Sequence, residues 1–230
     1  IKNNEKKYFL DNIIENKAVK TIIKNDKISK EIKVAYVNAA NSLNSLVVDG
    51  KANYGVFAGF PWFFQFWARD ALISLKALPK INEKLSKKIF FRHLNRIGSD
   101  GRLPNLTGHH SSKNLGNADA NGWLFVRCKD TIDKISKNNE IINSIKKSIS
   151  IIKNNKNSNS PRIKDYLKKC NLIIRKKENE YHHYIYEIEN SLEKSLSGLF
   201  KFHTQDGFEI NEAKETWMDT DFGDDARSGA

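Results

Sequence analysis

Three stretches of the sequence mix aromatic rings with charged and amide side chains. They are PWFFQFWARD at 61–70, GRLPNLTGHHSSKNLGNADANGWLF at 101–125 and KETWMDTDFGDDARSGA at 214–230. Carbohydrate chemistry needs this mixture. A sugar ring offers apolar C–H faces that stack on tryptophan, and hydroxyls that pair with carboxylates, arginine and asparagine. Arg69 beside Asp70 can bridge two hydroxyls while each charge neutralises the other. Each residue also has a plainer use. Phe60, Phe63 and Phe66 stand at helical spacing and suit a core. Asp70 suits the N-terminal end of a helix ALISLKAL, and Asp119 the cap of a helix opening near Ala120. Asp219 alone reads as a solvated loop acid. His109 and His110 resemble a metal pair, but adjacent side chains diverge and no third ligand follows at a useful spacing.

The elements that must position these stretches read as helices. Val34, Val37, Leu43, Leu46 and Val47 trace one apolar face, and Leu72, Leu75 and Leu78 a second. Ile141, Ile145, Ile149 and Ile152 trace a third, and Leu192, Leu196, Leu199 and Phe200 a fourth. Strand-like alternation is scarce, and YHHYIYEIEN is short and ambiguous. Asp-Gly follows an apolar helix three times, at Asp49, Asp100 and Asp206, in VVDGKANYG, GSDGRLPN and TQDGFEIN. The intervals of 51 and 106 residues suggest a unit of about 50 residues, the length of an antiparallel helix pair with its connections. The polar loop KNNKNSNSP occupies the midpoint of the longer interval. The expectation is an all-α chain of helical hairpins, roughly four of them, each delivering a loop to one end of the molecule.

Bulk properties narrow the function classes. The 230 residues can bury a core of one domain or two. No apolar run approaches the roughly 18–20 residues of a membrane span, and no secretory leader is visible. Cys128 and Cys170 are too few and too far apart for a disulfide framework or a zinc site. These features set the expectation of a cytoplasmic protein with no membrane partner. The net charge of +12 raises nucleic-acid binding, but its distribution argues against it. Residues 203–230 carry eight acids against Lys214 and Arg227, a balance of −6, and the remaining lysines scatter among Asn and Ile. Because the chain opens at Ile1, has Met218 as its one methionine and stops at DDARSGA, it is expected to be a fragment.

Taken in order, GFPWFFQFWARD, GRLPN, GNADANGWLF and ETWMDTDFGDD resemble the amylo-α-1,6-glucosidase domain of glycogen-debranching enzymes of the archaeal and bacterial type. The resemblance runs from about residue 35 to 230, and roughly 130–190 adds almost nothing to it. It implies an (α/α)6 toroid, truncated here to about its first four hairpins. Residues 1–30 would be a lead-in or linker and 31–230 the N-terminal part of the glucosidase domain. It further implies hydrolysis, with inversion, of the α-1,6-linked glucose left at a trimmed branch of an α-glucan. Asp219 would be the general acid, with Trp217 beside it. Arg69 and Asp70 would hold the terminal glucose, and Trp62, Trp67 and Asp119 would line the same subsite. The base lies beyond residue 230 by this resemblance, and Glu212 and Glu215 gain no support from it. No cofactor is implied. A glucoamylase-like or trehalase-like hydrolase on the same fold stays open, as does a non-catalytic carbohydrate-binding module.

Overall fold

A computed structural model describes residues 17–51, 53–107, 119–154, 160–206 and 208–209. They are mostly helical, as an all-α chain requires, and they divide into two compact units. The first comprises the chain through Leu124 together with the chain from Ser195 onward. The second is Phe125–Lys194. Among the described residues no helix is long and apolar enough to cross a membrane.

In the first unit, helix α1 (Lys17–Ile23) packs on α2 (Lys30–Ser45) through Val19 and Ala40. Ser29 caps α2 by accepting from the Ile32 amide, at 3.4 Å. The helix stops at Ser45 and not, as its apolar face suggested, past Val47. Val47 instead opens strand β1 (Val47–Asp49), paired antiparallel with β2 (Tyr54–Val56) in the register Val47↔Val56. A β-branched pair with a partner strand overrides the helical period there. Asp49-Gly50 turns this small hairpin, with the Gly50 amide donating to the Asn53 carbonyl at 2.9 Å.

Helix α3 (Ala68–Ser74), a 3₁₀ turn (Leu78–Lys80) and α4 (Glu83–Leu94) follow. Leu72, Leu75 and Leu78 are buried, against a core that includes Leu85, Ile89 and Leu94, but the helix expected through ALISLKAL ends at Ser74 and Leu78 lies in the 3₁₀ turn. Asn82 caps α4 by accepting from the Leu85 amide at 3.0 Å.

Helix α5 (Ala120–Lys153, 34 residues) begins in the first unit and continues into the second. Helix α6 (Pro161–Phe202, 42 residues) runs from the second back to the first. The span from 120 to 202 far exceeds the 50-residue unit inferred from the turns. YHHYIYEIEN is helix within α6.

Two apolar faces read from the sequence are corrected. Of Ile141, Ile145, Ile149 and Ile152 only Ile149 is buried, and the inward row is Ile135, Ile142 and Ile149. Its partner row on α6 is Leu167, Ile174 and Ile188, again at multiples of seven. Two helices wound about each other favour a 3.5-residue period, and that pairing selects the inward row. Near the end of α6, Leu196 and Phe200 are exposed while Ser195 and Gly198 are buried.

Small residues face inward there because backbone meets backbone. Gly101, at φ 86°, sits against α6, where an added Cβ would lie 2.3 Å from the Ser195 carbonyl oxygen. A Cβ on Gly198 would lie 2.3 Å from the Gly101 nitrogen. Only glycine fits either place. Asn121 and Ser195 close the contact. The Asn121 amide donates to the Gly101 carbonyl and to Ser195 Oγ, both at 2.8 Å, and its oxygen accepts from the Leu103 amide at 3.0 Å. Ser195 Oγ donates to the Gly101 carbonyl at 2.7 Å. Beyond α6, strands β3 (Thr204–Gln205) and β4 (Phe208–Glu209) pair antiparallel, with Asp206 at φ 52° leaving β3. Of the three Asp-Gly aspartates, Asp100 follows a helix directly, while Asp49 ends β1 and Asp206 follows β3, each strand coming just after a helix.

Candidate functional site

The aromatic stretch is not a helix. Gly59 and Phe63 face each other in an isolated antiparallel bridge, with the Phe63 amide donating to the Gly59 carbonyl at 2.8 Å. Helical spacing therefore does not decide which rings go inside. Phe66 alone is core; Phe60, Phe63 and Phe64 are about half exposed, against the expectation that Phe60 and Phe63 pack inward. The rings support one another. Phe57 stacks on Phe66 at 5.2 Å and meets Phe60 and Phe64 edge-on at 5.8 Å each. Trp62, at the tip, is 79% exposed.

Phe66 is also held by two groups that sequence reasoning missed, Gly55 and Arg92. Gly55 lies under its ring, where a Cβ would sit 2.7 Å away. The Arg92 guanidinium stands 5.4 Å from its centroid and 4.6 Å from that of Tyr54. Arg92 also donates to the Tyr54 carbonyl and, at 3.5 Å, to Thr107 Oγ1. Burial lowers the Arg92 pKa from the usual arginine value. The next residue, His93, is fully buried, with Nδ1 2.7 Å from the Ile89 carbonyl. Burial drives its pKa down to about 4, so the ring is neutral at pH 7.

From this base the chain enters α3. Phe66, Trp67 and Ala68 are stitched to the segment 105–107. The Thr107 amide donates to the Phe66 carbonyl at 2.9 Å, Trp67 and Leu106 form an isolated bridge, and the Ala68 amide donates to the Asn105 carbonyl at 2.8 Å. Trp67 occupies the N-cap position with an extended backbone and no side-chain cap; its indole donates to Gln65 Oε1 at 3.3 Å. Arg69 and Asp70 therefore lie in the first turn of α3, as the helix-opening reading of Asp70 requires.

Arg69 reaches across to the second motif. Its Nε lies 2.9 Å from Asp119 Oδ1 and 2.8 Å from Oδ2. Helix α5 does open at Ala120, and the Trp123 amide donates to the Asp119 carbonyl at 3.0 Å. The backbone of Asp119 thus starts the helix while its carboxylate meets Arg69. Asp70 is half-buried beside this pair. Burial pushes its carboxyl up, its own backbone amide and Arg69 pull it down, and Asp119 pushes it up again, with a net rise. The group is a guanidinium paired with one carboxylate and electrostatically coupled to a second, with the exposed rings of 60–64 preceding it in the chain. Such a set can orient a polyhydroxylated ligand by paired hydrogen bonds and bury an apolar sugar face.

Five sequence-predicted site residues are described: Trp62, Trp67, Arg69, Asp70 and Asp119. The structure joins Arg69 to Asp119 and sets Asp70 next to them. Trp217 and Asp219 lie outside the described residues, as do His109, His110, Glu212 and Glu215. Among the described residues no cluster of His, Cys, Asp and Glu is arranged to hold a metal ion.

A family model described as amylo-alpha-1,6-glucosidase matches residues 21–229. No curated protein and no solved structure matches the chain.

Proposed function

Since this chain belongs to the amylo-alpha-1,6-glucosidase family, a glycoside hydrolase family related to glycogen debranching, we propose that it takes part in releasing α-1,6-linked glucose from the branch stubs of an α-glucan. The observation that carries this reading is the contact between Arg69 and Asp119. It joins the Trp-x-Arg-Asp stretch to the Asn-x-Asp-Ala stretch across fifty positions, beside a half-buried acid. In this reading Arg69 and Asp70 grip the hydroxyls of the terminal glucose, while Trp62, Trp67 and Asp119 bound its ring.

Glycosidic cleavage with inversion requires one protonated carboxyl on the leaving oxygen and one carboxylate to activate water, roughly 6.5–9.5 Å apart. We assign the acid to Asp219, which the resemblance places at the acid position of the family's Trp-Met-Asp motif, two residues after Trp217. The base lies beyond residue 230 in this reading. The (α/α)6 toroid belongs to the same proposal.

The test compares Asp219→Asn with the natural sequence in the protein expressed from its whole gene. Free glucose is measured from α-1,6-branched limit dextrin, linear maltodextrin and trehalose. The reading expects glucose from the branched substrate, a loss of about a thousandfold in kcat for Asp219→Asn, and little change in binding. Glucose release undiminished in Asp219→Asn would remove the acid assignment. Preference for maltodextrin or trehalose would replace the branch-stub reading with a different hydrolase of the same architecture.

A further inference from the structure

The second unit carries a feature apart from the site described above. It is an antiparallel helix pair, as shown by contacts in which one residue number rises while the other falls. Asn138 donates to the Tyr181 hydroxyl at 3.0 Å, and Lys146 to Glu178 at 2.6 Å. The inward rows are Ile142 and Ile149 on α5 and Leu167 and Ile174 on α6.

A second apolar row lies beside the first. At about 100° per residue, Ile141, Ile145 and Ile152 fall about 60–100° to one side of the inward row of α5. Tyr166 and Ile173 precede Leu167 and Ile174 by one position, which sets them about 100° to one side on α6. Antiparallel helices wind in opposite senses when viewed along one axis, so both displacements turn to the same side of the pair. All five residues are exposed, Ile141 at 59% and Ile173 at 62%. The α5 positions 141, 145, 148 and 152 follow a four-three-four spacing with Ser148 at the third place. That spacing is the seam of a coiled coil, and it fits a third helix laid along the pair.

Charge selects the occupant. Residues 136–180 hold twelve lysines and arginines against four acids, a net +8 out of +12 for the whole chain. Lys137, Arg162 and Lys176 are exposed, at wheel positions flanking the seam. Such a rim repels a second copy of this chain and attracts an acidic one. The seam is aliphatic with one tyrosine and lacks the aromatic platforms on which single-stranded nucleic acid stacks.

We propose that this helix pair is a docking arm whose Ile141–Ile145–Ile152 seam, completed by Tyr166 and Ile173, binds an acidic amphipathic helix of a partner protein. The seam covers about three helical turns, so the partner segment contributes apolar residues over a similar length.

The experiment uses the whole chain and a fluorescein-labelled three-heptad peptide with Leu at a and d and Glu at e and g. A peptide with Lys in place of Glu, a scrambled acidic peptide and anionic phosphatidylserine vesicles serve as comparisons. Fluorescence anisotropy should show binding of the acidic helix only, weakening as salt rises. Ile141→Ser with Ile145→Ser should weaken it at least about tenfold, since each buried isoleucine is worth more than one such factor. Lys137→Glu with Lys176→Glu, which leaves the apolar seam intact, should shift preference toward the basic peptide. Equal binding of acidic and basic helices, binding unchanged in the serine variant, or binding to vesicles without binding to the peptide would overturn the proposal. So would sedimentation of the chain as a dimer that the serine variant converts to monomer.

Discussion

Arg69 Nε lies within 2.9 Å of both carboxylate oxygens of Asp119, a residue fifty positions further along the chain. The pair fastens the first turn of α3 to the start of α5 and leaves Asp70 half-buried beside it. Asp119→Asn should therefore act on ligand affinity more than on folding, because both partners remain partly exposed and such pairs contribute at most about 1 kcal/mol to stability. Calorimetric titration with an α-1,6-branched oligosaccharide should show affinity reduced about tenfold, with little change in Tm. In a cycle with Arg69→Gln the two losses should not add. Unchanged affinity would reduce the pair to a surface tie.

Trp62 and Phe66 belong to one stretch but should respond oppositely to truncation. Phe66→Ala removes a ring stacked on Phe57 and set against Arg92, and should destabilise the fold by about 3–5 kcal/mol. Trp62→Ala, at an exposed tip, should change stability by less than about 0.5 kcal/mol while weakening sugar binding. Urea unfolding followed alongside titration with the branched oligosaccharide separates the two effects.

The Gly101–Gly198 approach admits no side chain on either residue. Gly101→Ala meets the Ser195 carbonyl at 2.3 Å and also strains a backbone at φ 86°, so it should cost more than about 2 kcal/mol. Gly198→Ala meets the Gly101 nitrogen at the same distance and should cost a similar amount. The double variant should lose less than the sum, since the first substitution already opens the contact. Denaturant midpoints read all three values.

His93 predicts a pH dependence of stability. Its folded pKa of about 4 lies below the ordinary histidine value of 6.5, so protonation favours the unfolded chain. The stability it supports is complete above pH 6.5 and is lost as pH falls toward 4, at up to about 1.4 kcal/mol per pH unit. His93→Gln should flatten that part of the curve, whatever its effect at neutral pH. An unchanged slope would show that other groups carry the acid sensitivity.

Cys128 and Cys170 should differ in reactivity. Burial pushes the Cys128 thiol up to about 12, and the side chain is closed to solvent. Cys170 is only partly buried. A thiol reagent at neutral pH should modify Cys170 in the folded protein and Cys128 only on unfolding. Mass spectrometry of the labelled peptides distinguishes them.

Much of the helical content was legible in the sequence by itself. Leu72, Leu75 and Leu78 are buried at the spacing read from the sequence, although α3 ends at Ser74 and Leu78 lies in a 3₁₀ turn, and the Asp-Gly at Asp100 follows α4 into a turn where Gly101 takes φ 86°. The motif order around Trp67, Arg69, Asp70 and Asp119 pointed to the family that the match over residues 21–229 establishes. The apolar spacing and the turn are local, each depending on residues within a turn or two of one another, and motif order needs only the linear sequence.

Tertiary structure alone decided which of several apolar rows faces inward. Ile141, Ile145, Ile149 and Ile152 form a sound helical face, yet α6 selects Ile142 and Ile149 because a paired helix favours a 3.5-residue period. The Phe60–Phe63–Phe66 spacing misled for a related reason: an antiparallel bridge between Gly59 and Phe63 replaces the helix that the spacing presumes. No periodicity marks Arg92 as the support of Phe66, or Asn121 and Ser195 as the polar clasp over Gly101. Such roles depend on what a second, distant segment brings to within hydrogen-bond reach. Arg69 stands between these cases, because its chemistry was evident from its neighbours while its partner became known only when the chain closed fifty positions into contact.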